Sequence, residues 1–125
     1  MKLKTLAILA TFALGAASAH AAGNHDHTPK FGGVVVETKA GDVEIVAKPD
    51  MIQIYVSDHG KAVKLDGAKA KVTLLNGTEK TEADLSPAGD KLEAKGAFKV
   101  AKGTKGIALI TLAGKSAATA RFEIK

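Results

Sequence analysis

Met51-Ile52-Gln53-Ile54-Tyr55-Val56-Ser57-Asp58-His59-Gly60-Lys61 is the most regular stretch of the chain, and its reading decides the fold class. Ile52, Ile54 and Val56 alternate with Gln53, Tyr55 and Ser57. Side chains on a strand change face at every residue, so the stretch has one apolar and one polar face. β-Branched and aromatic residues also suit a pleated, half-buried surface. Asp58-His59-Gly60 then stops the strand, since Asp bonds its own backbone and Gly accepts positive φ. The stretch reads as a central strand of a small β domain.

The same pattern recurs on both sides. Upstream, Phe31-Gly32-Gly33 leads into Val34-Val35-Val36-Glu37, and Val43 to Lys48 follows the turn at Ala40-Gly41-Asp42. Pro49-Asp50 separates that strand from the central one. Downstream, Ala62 to Leu65 reads as a short edge strand. Ala70, Val72 and Leu74 alternate with lysines and Thr73 up to Asn76-Gly77, the strongest short hairpin signal, expected as a type I′ turn. Glu79 to Leu85 returns and Pro87 to Asp90 closes it. Leu92, Ala94 and Phe98 are assigned to a further strand with Gly96 as a bulge or break. Ile107 to Leu112 is nearly all apolar, as for a strand paired on both sides. Ala118, Ala120, Phe122 and Ile124 mark the last strand. Short strands with turns about every ten residues predict an all-β, immunoglobulin-like antiparallel β-sandwich of about seven or eight strands.

The N-terminus has the marks of export. Lys2 and Lys4 precede an apolar run from Leu6 to Ala17, and Ala19-His20-Ala21 supplies a small-x-small cleavage pattern. The expected division is a signal peptide over 1–21, a flexible histidine-containing tail over 22–30 and the sandwich over 31–125. The apolar run is short for a membrane anchor, so no membrane insertion is expected after cleavage. Loss of Lys2 and Lys4 takes the formal charge from +5 to +3. The lysines are scattered, without the basic stripe and interleaved aromatics of a nucleic-acid binder. There is no cysteine, which excludes thiol catalysis, disulfides and Cys-ligated zinc or iron–sulfur centres. No nucleophile–base pair can be named, so the expectation is a protein that is not an enzyme.

His25-Asp26-His27 is the densest set of metal-ligand side chains. Two imidazoles and a carboxylate suit Cu(II), Ni(II) or Zn(II). If Gly23 were the first residue, its amine, two backbone amides and the His25 ring would form a square-planar nitrogen set; with Ala22 first, His25 sits one residue too far. His59, beside Asp58, is either a further ligand or a polar turn residue. Ser57, Asp58 and His59 are consecutive at a strand end and do not make a catalytic triad, which is a spatial arrangement. Met51 stands alone as a thioether and reads as packing.

Gly32-Gly33-Val34-Val35-Val36-Glu37, Val43-Glu44-Ile45-Val46-Ala47-Lys48-Pro49 and Ile54-Tyr55-Val56-Ser57-Asp58-His59-Gly60-Lys61 together resemble a group of small exported proteobacterial proteins that accompany heavy-metal efflux systems. They are also similar to a β domain of the periplasmic adaptor subunits of those pumps. The later half resembles YtkA/FixH-like sandwich domains. Members often read His-Gly-Gly at the first turn, where this chain has Phe31-Gly32-Gly33; Asp58-His59-Gly60 matches. The resemblance implies a periplasmic partner of metal or envelope homeostasis, not an enzyme. With the histidine cluster it gives the expectation of a non-enzymatic periplasmic accessory protein that binds divalent metal or a metal-efflux partner. The competing expectation is a structural or interaction module of the cell envelope that binds a protein partner without metal.

Overall fold

In the computed structural model, which describes residues 28–125, the alternating stretches form nine strands and the described residues contain no helix. They are β1 (Val34–Thr38), β2 (Gly41–Lys48), β3 (Met51–Asp58), β4 (Lys61–Ala62), β5 (Lys69–Asn76), β6 (Glu79–Ala88), β7 (Lys91–Lys95), β8 (Lys105–Thr111) and β9 (Ala118–Glu123). All pairings are antiparallel, in the order β1-β2-β3-β7-β6-β5-β8-β9, with the two-residue β4 on β3.

This path folds into two facing sheets that share β6. From Glu79 to Leu85, β6 pairs with β5; from Ser86 to Ala88 it pairs with β7. Pro87 falls after the strand has left β5, where one side needs no backbone donor. Strands β5, β6 and β7 are joined by hairpins, and β8 returns beside β5. That order, 8-5-6-7, is a Greek key, the connection common to β-sandwiches. The expected all-β antiparallel architecture is therefore the one observed. At its two ends, β1 lies against β9, with no ladder between them among the described residues.

The core follows from the alternation. Val43, Ile45, Ile52, Ile54 and Leu92 from one sheet meet Val72, Leu74, Ile110 and Phe122 from the other, all buried. Each such side chain contributes about 1.5–3 kcal/mol by leaving water. Phe122 covers Gly106, where a Cβ would lie 2.2 Å from the ring.

Three local expectations change. The edge strand after the Asp58–Gly60 turn is only Lys61–Ala62; beyond it the Val63 N–H donates to the Val56 carbonyl at 2.9 Å. Strand β7 ends at Lys95, and Phe98 instead packs on the core from a loop, its N–H on the Pro49 carbonyl at 2.7 Å. The β5–β6 turn is also displaced by one residue. Asn76 pairs with Glu79, so Gly77 and Thr78 are the turn, and Gly77 alone takes positive φ, at 64°. Asn76 stays on the strand because its side chain is engaged elsewhere: its amide donates to the Lys99 carbonyl at 2.9 Å.

Candidate functional site

The outer face of β1, β2 and β3 is where the sequence and the structure differ most in information. Register places Val35, Glu44 and Tyr55 in one row across the three strands. Gln53 lies one row back and faces Glu93 on β7. In a half-exposed sheet this face would be solvated. Here Glu44 is 7% exposed and Val46 5%, so β2 is buried on both faces from Val43 to Val46.

The cover is the stretch leading into β1. The backbone N–H of Lys30 donates to one Glu44 carboxylate oxygen at 2.8 Å. The N–H groups of Phe31 and Gly33 donate to the other at 2.8 and 2.9 Å. Three backbone donors on one carboxylate bind an anion as a nest does, with the anion supplied by the protein itself. Charge-assisted bonds of this kind are stronger than neutral ones. Gly32 makes the loop possible with φ of 79°. Gly33 is required for contact: a Cβ there would lie 2.3 Å from the Ile45 carbonyl oxygen.

Phe31 completes the cover. Its ring stacks on Tyr55 with centroids 3.7 Å apart and planes 11° from parallel, while the residue remains 50% exposed. The Tyr55 hydroxyl donates to Gln53 Oε1 at 3.3 Å, and Gln53 Nε2 donates to Glu93 Oε2 at 2.7 Å. Phe31 is thus an aromatic cover over the polar row.

His59 lies at the end of β3. Asp58 pairs with Lys61, so His59 and Gly60 are the two central residues of a type I′ hairpin, with φ of 51° and 81°. His59 is the one non-glycine residue with positive φ among those described. That conformation is uncommon for a residue with a Cβ, though His is enriched in it. The imidazole Nε2 is 3.5 Å from Asp58 Oδ1, with both side chains mostly in solvent. The turn presents the imidazole at the tip of the sheet.

His25, Asp26 and His27 lie outside the described residues. Among the described residues no three His, Cys, Asp or Glu side chains come close enough to hold a metal ion, so His59 and Asp58 do not form a metal centre by themselves. Met51 is half-buried at the start of β3, opposite Lys48 and Lys95.

No family model, curated protein or solved structure matches the chain. In the sequence Glu44 is one more polar residue on an alternating strand. The signals for its burial are Val46, an apolar residue on the same face, and the paired glycines directly after Phe31.

Proposed function

We propose that the protein is a non-enzymatic periplasmic accessory protein of the kind that accompanies heavy-metal efflux, and that it binds a divalent metal, Cu(II) before Ni(II) or Zn(II), through His25, Asp26 and His27. The observation that carries this reading is the anchoring of Lys30–Gly33 on Glu44. The anchor fixes where the ligand-bearing stretch leaves the sandwich. His27 precedes Lys30 by three residues, about 10 Å of extended chain, and His25 by five, about 17 Å. His59 follows Tyr55, the β3 neighbour of Glu44, by four residues, about 13 Å along the strand. These chain lengths allow His59 to join His25 and His27 on one ion when the tail folds back toward the Asp58–Gly60 turn. Cu(II) is preferred on the general affinity order for nitrogen and oxygen ligands.

Calorimetric titration of the mature chain with Cu(II), Ni(II) and Zn(II) tests the reading. Binding by the wild type and its loss in His25→Ala/His27→Ala is the expected result. Equal binding by both proteins, or by neither, removes the tail from the site.

A second reading has an observation of its own. Strands β1 and β9 meet without a ladder and border a groove of about 880 Å³, lined by Val35, Leu75, Ile107, Phe122 and the cations Lys105 and Arg121. Unpaired edges accept added strands. An interaction module of the envelope would use this seam and need no metal.

A further inference from the structure

We propose that Asn76 is a site of spontaneous deamidation, held in check by a hydrogen-bonded latch to the β7–β8 connection. Asn76 ends β5 and is followed by Gly77, which is exposed and has open space where a side chain would stand. Nothing on Gly77 therefore shields its backbone nitrogen.

The reaction needs only water. The Gly77 nitrogen attacks Asn76 Cγ, forming a C–N bond. The Cγ–Nδ2 bond breaks, and Nδ2 leaves as ammonia with the proton from Gly77. Water then opens the cyclic imide at either carbonyl, giving aspartate or its isomer. Attack requires the side-chain amide to swing onto the Gly77 nitrogen.

Two bonds hold it away. Asn76 Nδ2 donates to the Lys99 carbonyl at 2.9 Å, and Asn76 Oδ1 accepts from the Thr104 hydroxyl. Thr104 is 2% exposed, and its hydroxyl also accepts from the Ala101 N–H at 3.0 Å. The same connection is tied to the C-terminal residues, with Gly103 N–H on the Ile124 carbonyl at 2.7 Å and Ile124 N–H on the Thr104 carbonyl at 2.8 Å. A carboxylate at position 76 has no proton to donate to the Lys99 carbonyl. Deamidation thus removes one bond of the latch, sets two acceptors against each other and loosens the connection between the sheets. The modification is a one-way timer on the fold.

The test is peptide mapping by mass spectrometry of the full chain after incubation at mildly alkaline pH, folded and in urea, beside Thr104→Val. The folded wild type should convert at Asn76 about tenfold more slowly than the unfolded chain. Thr104→Val should recover most of that factor, the effect of one lost hydrogen bond on an opening equilibrium. Equal rates in folded and unfolded wild type overturn the proposal, and so does a folded Thr104→Val protein that converts no faster. Should Thr104→Val not fold, the folded-against-unfolded comparison still decides. Amide exchange in Asn76→Asp gives a second readout, with faster exchange expected at Ala101 and Thr104; unchanged exchange there would contradict the latch.

Discussion

Phe31 lies flat on Tyr55, 3.7 Å between ring centroids, directly beside the point where Gly33 donates to Glu44. One contact is apolar and the other charge-assisted, and together they attach the stretch before β1 to the outside of the sandwich. Removing the aromatic half should leave the fold intact. Phe31→Ala is expected to cost about 0.5–1.5 kcal/mol, the worth of an aromatic pair beyond its area, measured by urea denaturation. A cost near zero would mean the ring rests on the sheet without holding it.

Glu44→Ala should cost more. It strands three backbone donors and opens space under the cover, and a hydrogen bond to a charged group is worth about 1.5–3 kcal/mol. Because water reaches some of the freed donors, the expected loss is about 2–4 kcal/mol. Gly33→Ala should act in the same direction by steric means, since its Cβ meets the Ile45 carbonyl oxygen at 2.3 Å. If Gly33→Ala proves as stable as the wild type, the close approach of the two backbones is wrong.

The core prediction rests on β3. Ile54 is fully buried between the sheets, and Ile54→Ala should destabilise by about 2–5 kcal/mol in chemical denaturation, the cost of emptying a core position. Lys64→Ala, on the exposed stretch after β4, serves as the control and should change little.

A pH effect is expected from β6. Lys80 and Lys71 hold the Glu82 carboxyl below the ordinary glutamate range, by hydrogen bonding first and by charge second. A lowered folded-state pKa favours the folded chain when the group is ionised. Its contribution is present above the ordinary glutamate value and fades as pH falls through the folded one. Glu82 is exposed, so the effect is small and weakens with salt. Stability of Glu82→Gln against pH should be flatter than that of the wild type between neutral and acid pH; identical slopes would show that the lysines do not matter.

Local strand patterns were legible in the sequence, and contacts between distant segments were not. Strand alternation around Ile52, Ile54 and Val56 and around Val72 and Leu74 identified the buried face, because burial on one side of a sheet imposes period two. The turn at Asp58-His59-Gly60-Lys61 was readable for the same local reason. The bend of β6 at Ser86 was not, since a change of pairing partner leaves no mark except Pro87. Nor was the engagement of Asn76, which moved a turn by one residue through contacts with Lys99 and Thr104, far away in sequence. The Glu44 cover escaped for a related reason: a carboxylate on a strand looks the same whether water or three backbone N–H groups surround it.

The proposed function depends on the Glu44 anchor, which holds Lys30–Gly33 on the sheet at the root of the proposed metal-binding tail. Its most direct measurement is the Cu(II) affinity of Glu44→Gln against the wild type, by calorimetry at a pH above the histidine range, where the imidazoles are neutral and able to ligate. Circular dichroism of both proteins checks that the sandwich is retained. The account predicts a folded Glu44→Gln protein that binds Cu(II) more weakly than the wild type, with the further effect of His59→Ala largely lost in that background. An affinity equal to the wild type's, with His59→Ala equally harmful in both backgrounds, would contradict it.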